Sequence, residues 1–112
     1  MARFAYDHEV LERFPHVVGG VIHADAVSNR PAPAELTAAY HLEQSSVRER
    51  VGETPLSELP TLAAWRAVFR GFGVNPTKYR CAAEALLRRL TKQGDIPSIN
   101  ALVDLANLVS IR

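Results

Sequence analysis

Three polar side chains recur at helical spacing near the end of the chain. Asn100, Asp104 and Asn107 are four and three residues apart within an otherwise apolar run. That spacing places them on one stripe of one helix. Because buried amides and carboxylates cost free energy unless they are partnered, the stripe either ties down neighbouring backbone or lines a binding pocket.

A second group of candidate residues is basic. Arg88, Arg89 and Lys92 lie close together in the sequence and are the candidate contacts for an RNA backbone. Glu84 precedes Arg88 by four residues, which is the spacing of an ion pair on a helix surface. The simpler interpretation is therefore that part of this cluster is an ordinary solvated helix face.

The other side chains that bind metals or act as nucleophiles form no recognisable site. The four histidines include no pair at ligand spacing on one helix and no HExxH motif. Cys81 is the only cysteine, so an internal disulfide and a cysteine-based zinc site are excluded. We therefore expect neither a metal nor a cofactor.

The composition fits one folded unit and narrows the function only slightly. The chain has 112 residues, and 47% are hydrophobic, enough for a core. The net charge is +1, from 13 basic and 12 acidic residues, so the overall charge gives no case for nucleic-acid binding. No apolar run approaches the ~20 residues that span a bilayer, and the N-terminus lacks the apolar core of a signal peptide. We expect a cytoplasmic protein without a membrane partner.

The first third of the sequence predicts a small β-sheet. Residues 2–6 are assigned to a short edge strand, and Asp7 to the N-cap of a short helix that ends near Phe14-Pro15. The segment from His16 to Ala26 is the best strand, because its β-branched residues alternate with polar ones. Gly19-Gly20 within it indicates a β-bulge or, as the alternative, a close approach by another backbone.

The remaining sequence predicts helices joined by short loops. We expect them from about Pro33 to Arg50, from about Pro60 to Phe72 and from Pro76 to Gly94. Ser98 is the expected cap of a final helix that carries the polar stripe. An apolar stripe along the helix that begins near Pro60 predicts that Trp65 lies in the core and faces the strand around Val21.

An ordered set of short motifs runs through residues 65–110. The first part is Trp65-Arg66 followed by a Phe- and Gly-rich stretch at residues 69–74. The rest comprises Pro76, Arg88-Arg89-Leu90, Gly94, Pro97, Ile99-Asn100-Ala101, Leu102-Val103-Asp104 and Ala106-Asn107. The set resembles the editing domain of the bacterial phenylalanyl-tRNA synthetase beta subunit, and the first part looks especially like its short stand-alone relatives.

The resemblance carries expectations about fold and activity. It implies an α+β fold in which helices pack on a small β-sheet, as part of a three-layer editing-type domain. It implies that residues 1–112 are a single domain, the N-terminal part of a longer editing-type domain. The family hydrolyses the ester between a wrong amino acid, typically tyrosine, and the tRNA for phenylalanine. The implied partner is therefore tRNA or aminoacyl-tRNA.

The resemblance makes Asn107 the strongest substrate-binding candidate. It occupies the family position whose asparagine lines the editing pocket, and its amide offers donors and an acceptor. The alternative is that Asn107 ties the following loop to the sheet. Asn100 and Asp104 are weaker candidates, since both side chains suit bonds to turns near a helix start. Ala106 stands where the family has threonine, so that hydroxyl is missing here.

Two alternatives to hydrolysis stay open. One is a non-catalytic module that binds an amino acid or a tRNA end, and the other is a structural half-domain completed by a partner chain. In the family, a glutamate and a histidine that complete the pocket lie further downstream, beyond Arg112, so we expect this chain alone to be inactive. Since an unpaired sheet edge and an uncovered apolar face recruit other chains, we expect a homo-oligomer or a second chain completing the domain.

Overall fold

The computed structural model describes residues 3–112. Its elements are helices joined by loops, and no strand occurs among the described residues. In chain order they are α1 (His8–Arg13), α2 (Ala34–Val51), a short 3₁₀ helix (Leu56–Glu58), α3 (Pro60–Gly71), α4 (Ala82–Gln93) and α5 (Ala101–Ile111). The α+β fold with a small β-sheet is therefore wrong for residues 3–112.

The predicted strand from His16 to Ala26 is an exposed segment without regular secondary structure. Val18 is 92% exposed and Ile22 is 94% exposed, so neither side chain buries its surface. β-propensity reflects packing on a sheet more than an intrinsic backbone preference, and this segment has no neighbouring strand to pack on. Residues 3–6 form no strand either, and residue 2 of that prediction lies outside the described residues.

Gly19 serves a different purpose from the predicted β-bulge. Without a strand there is no bulge, and a Cβ built at Gly19 would collide with the hydroxyl of Tyr6. Gly20 has open space at the same position. The glycine therefore permits a close approach, but by an aromatic side chain rather than by another backbone.

The predicted helices are confirmed, with corrections at the start of α4 and at the start of α5. Asp7 caps α1 by accepting from the Glu9 N–H, and Gly94 ends α4 in the left-handed conformation. α4 begins at Ala82 instead of Pro76. The Arg66 guanidinium donates to the Pro76 carbonyl, which a continuing helix would offer to the N–H four residues later. Asn100, not Ser98, caps α5.

The core lies mainly between α2, α4 and α5, closed by Leu62 of α3. Its buried apolar side chains are Tyr40, Val47, Val51, Leu62, Leu87, Leu90, Ile96, Leu108 and Ile111. Gln44 is buried among them and exchanges two hydrogen bonds with the backbone of Ile96, at 3.0 and 3.2 Å. Pairing both ends of a buried amide removes the cost of its burial, so Gln44 fixes the loop before α5 against α2.

Trp65 does not occupy the predicted core position. Its side chain is 53% exposed, whereas Leu62 on the same helix is 1% exposed. Val21, the expected neighbour, is itself 60% exposed. The prediction assumed a sheet against α3, and because residues 3–112 form no sheet, half of the indole stays in solvent.

Candidate functional site

Asn100 lies at the start of α5, where its side chain is committed to the helix. Its Oδ1 accepts from the N–H of Val103 at 2.9 Å, and its backbone is extended, as an N-cap requires. The cap satisfies one of the backbone donors that a helix start leaves unpaired. The side-chain amide nitrogen is the part of Asn100 not used by this bond.

Asp104 lies one turn further along α5 and is completely buried. One carboxylate oxygen accepts from the backbone N–H of Ile99 at 2.8 Å, and the other accepts from the hydroxyl of Ser98. A carboxylate in the first turn also suits the positive end of the helix dipole. Both oxygens of Asp104 therefore hold the loop that leads into α5.

Asn107 is half-buried and faces α2 near Tyr40. The Tyr40 hydroxyl is buried and has no hydrogen-bond partner within residues 3–112. Burial raises the pKa of Tyr40 above its ordinary value of 10.0, the Asn107 amide partly opposes that rise, and the charge of Asp104 adds to it. The structure thus places Asn107 and Asp104 together at the α2–α5 contact and leaves Asn100 at the end of the helix.

The polar stripe is an anchor between elements in the described part of the chain. The main surface clefts of residues 3–112 lie elsewhere and are not lined by Asn100, Asp104 or Asn107. The opposite side of α5 is apolar and exposed, with Leu105 51% and Val109 63% accessible. Substrate binding by the stripe stays a prediction. It requires further residues to complete a pocket around Asn107.

The predicted ion pair between Glu84 and Arg88 does not form. Glu84 is 2% exposed, and both of its oxygens lie 3.0 Å from Nη1 of Arg66, while Nε of Arg80 lies 3.2 Å from one of them. Arg66 also donates to the hydroxyl of Thr77 at 2.7 Å. Arg66 and Arg80 therefore both pair with Glu84, the only carboxylate of α4, because a buried charge requires partners.

The three candidate RNA contacts differ in their surroundings. Arg88 is half-buried and Lys92 is exposed. Both line a cleft of about 220 Å³ whose other side is residues 51–56, from the end of α2 to the start of the 3₁₀ helix. Arg89 is exposed and does not line this cleft. Within residues 3–112 none of the three forms an ion pair with a carboxylate. The cluster is therefore less neutralised than the sequence predicted.

Sequence reasoning missed the polar residues that meet these candidates from other helices. Tyr40 and Gln44 lie on the buried side of α2 and approach α5 from across the core, and Arg66 approaches Glu84 from α3. The spacing of Tyr40, Gln44, Val47 and Val51 at four, three and four residues is a helical stripe that contains a glutamine. A buried amide in such a stripe is the signal that indicates a polar contact between helices.

Two further features are absent from the described residues. Residues 3–112 contain no group of three or more His, Cys, Asp or Glu side chains arranged to hold a metal ion. Among the same residues, none of the helices has the length and apolar character needed to cross a membrane.

Comparison with protein families finds one match. Residues 64–112 match the B3/4 domain, a family found in the phenylalanyl-tRNA synthetase beta subunit. The match covers the last two-thirds of α3 and the whole of α4 and α5. The matched range includes Glu84 with its arginine partners, the basic residues and the polar stripe. The match supports the resemblance of this part of the chain to the synthetase beta subunit, and it covers less than half of the chain. No curated protein and no solved structure matches the chain.

Proposed function

We propose that this chain forms part of an editing-type domain that binds aminoacyl-tRNA. The observation that supports this is the B3/4 match over residues 64–112, a range that includes Asn107, which the sequence resemblance assigns to the family's pocket position. The substrate in this proposal is the ester of a wrong amino acid, typically tyrosine, with the tRNA for phenylalanine. Asn107 would orient the amino acid or the ester carbonyl through its amide.

The described residues supply one side of such a site. Asp104 and Asn100 hold the start of α5, so the reacting groups would have to come from further polypeptide facing Asn107. Selecting tyrosine over phenylalanine requires a buried partner for the phenol hydroxyl, and no cleft at the stripe offers one among residues 3–112. We therefore propose that the 112-residue chain binds the tRNA end without hydrolysing it.

A second candidate function is a structural half-domain completed by another chain. It is supported by the apolar side chains that residues 3–112 leave uncovered, including Val18, Ile22, Leu105 and Val109 at 92%, 94%, 51% and 63% exposure. Uncovered apolar faces of this kind mark interaction sites. In this proposal a homo-oligomer or a second polypeptide completes the domain that residues 1–112 begin.

The decisive experiment uses the 112-residue chain and tyrosine-charged tRNA for phenylalanine. We expect saturable binding in a filter assay and no release of labelled tyrosine above the rate without protein. Release of tyrosine would contradict the inactive-half proposal, and absence of binding would contradict the tRNA role. Sedimentation of the same sample separates a monomer from an assembly that completes the domain.

Asn107→Ala sharpens this test because the two roles of the amide give opposite results. If Asn107 contacts substrate, binding weakens while the melting temperature is nearly unchanged. If Asn107 only packs against Tyr40 where α5 meets α2, the truncation should cost about 0.5–3 kcal/mol and lower the melting temperature, with unchanged binding per folded molecule. Gln93→Ala, at an exposed position, is the matched control for losing an amide elsewhere.

A further inference from the structure

The basic residues of this chain are concentrated in one segment. Residues 59–94 contain seven of the 13 Lys and Arg residues but only one of the 12 acidic residues, Glu84. Because the whole chain has a net charge of only +1, the remaining residues are net negative. Such an asymmetry within one chain is typical of a surface that binds a polyanion.

The single carboxylate in that segment does not neutralise the outer cations. Glu84 is buried between Arg66 and Arg80, which leaves Arg88 and Lys92 one and two turns further along the same stripe of α4. From residue 84 to residue 92 this helical stripe runs about 12 Å. Glu53 lines the same cleft as Arg88 and Lys92 but forms no ion pair with either.

Two exposed aromatic residues lie beside the ion pairs that Arg66 and Arg80 form with Glu84 at the start of α4. Trp65 is 53% exposed and shares a small crevice with Arg66 and Glu84, and Tyr79 is 56% exposed. The ammonium of Lys78 lies 5.2 Å from the centre of the Tyr79 ring. Exposed rings beside a line of cations are the two parts of surfaces that bind single-stranded nucleic acid, since bases stack on rings while the phosphates meet cations.

We propose that this basic-aromatic face, formed by Trp65, Lys78, Tyr79, Arg80, Arg88 and Lys92, binds single-stranded RNA. Arg88 and Lys92 contact phosphates, and the Trp65 indole stacks on a base. The inference deepens the proposed function and rests on it for the choice of RNA, with the unpaired end of a tRNA as the natural ligand. The test below uses an uncharged, unstructured RNA and variants of this face, whereas the proposed function is tested with tyrosine-charged tRNA, so either proposal can fail while the other stands.

The indole provides a direct probe because Trp65 is the only tryptophan of the chain. An unstructured RNA of about 12 nucleotides, within the usual site size of single-strand-binding surfaces, is titrated into the 112-residue chain. We expect saturable quenching of the tryptophan fluorescence and an affinity that falls as salt rises. Heparin serves as a polyanion without bases, and it should bind without the same quenching.

The double variant Arg88→Gln/Lys92→Gln tests the phosphate contacts. Each contact to single-stranded nucleic acid contributes about 0.7 to the slope of log affinity against log salt, so the slope should fall by about 1.4 in the double variant. Arg30→Gln is the matched control, since Arg30 is exposed on the N-terminal segment and outside the face. Equal weakening in Arg30→Gln and in the double variant would overturn the proposal.

Trp65 variants test the stacking contact separately from charge. Trp65→Ala should weaken RNA binding about ten-fold, the order of one lost base stack, whereas Trp65→Phe should retain most of it. Circular dichroism of each variant shows whether the helices persist. If Trp65→Ala is unfolded, Tyr79→Ala tests the second ring of the face instead. If RNA leaves the fluorescence unchanged while the chain sediments as a dimer that shields the indole, the face is a protein interface and the proposal is wrong.

Discussion

The N-terminal arm, residues 14–33, and the helical body, residues 34–112, treat their apolar side chains in opposite ways. In the body, Val47 and Leu90 are completely buried, while in the arm Val18 and Ile22 are more than 90% exposed. A helix satisfies its own backbone and needs only one covered stripe, whereas a strand needs a neighbour for both its backbone and its side chains. The comparison shows that the body buries a core of its own, whereas the arm leaves its large apolar side chains uncovered.

The largest expected loss of stability is at Glu84, because the body contains a buried ion pair there and the arm contains none. Glu84→Ala leaves the guanidinium of Arg66, whose side chain is 14% exposed, without its carboxylate. Removing one member of a buried ion pair costs about 3–5 kcal/mol. Urea unfolding followed by circular dichroism measures the loss. Glu58→Ala, at an exposed position without an ion pair, should stay within about 0.5 kcal/mol.

A smaller, direct comparison of body and arm uses two apolar truncations. Leu90→Ala removes a side chain with 0% exposure and should cost about 2–5 kcal/mol, whereas Ile22→Ala at 94% exposure should stay within about 0.5 kcal/mol. The same urea experiment measures both. A loss of several kcal/mol from Ile22→Ala would contradict the exposed arm and show that another chain, or another part of this one, covers Ile22 in solution.

The body could be predicted from sequence because its signals are local. The glycine that ends α4, the proline that starts α3 and the apolar spacing along the helices all act within a few residues. The start of α4 could not be predicted, because the Arg66 guanidinium that donates a hydrogen bond to the Pro76 carbonyl comes from another helix. The arm was mispredicted because β-propensity presupposes the sheet.

The candidate site divides in the same way. The spacing correctly predicted that Asp104 and Asn107 share one side of a helix, whereas Asn100 is the N-cap of α5. The surroundings of Asp104 and Asn107 are set by the loop at Ser98-Ile99 and by Tyr40. Likewise, the i,i+4 rule paired Glu84 with Arg88, while the structure pairs it with Arg66 and Arg80. A buried carboxylate pairs with the cations that the fold brings next to it, and sequence spacing alone does not show which cations those are.

The smallest expected effect concerns the contact between α2 and α5 in alkaline solution. Burial raises the pKa of Tyr40, and the charge of Asp104 adds to the rise while the Asn107 amide opposes it. Above the ordinary value of 10.0, the unfolded chain has lost this proton while the folded chain still holds it. Because the folded state then binds more protons, stability falls as pH rises.

Tyr40→Phe isolates this titration, since it keeps the ring in the core and removes the hydroxyl that lacks a hydrogen bond. Below the ordinary tyrosine pKa we expect a small change in the melting temperature, because the removed hydroxyl had no partner to lose. Above it, the melting temperature of Tyr40→Phe should fall less steeply than that of the parent chain. Melting curves of both proteins across this pH range measure the difference. Parallel declines would show that Tyr40 reaches solvent in the folded state and that the α2–α5 contact is open there.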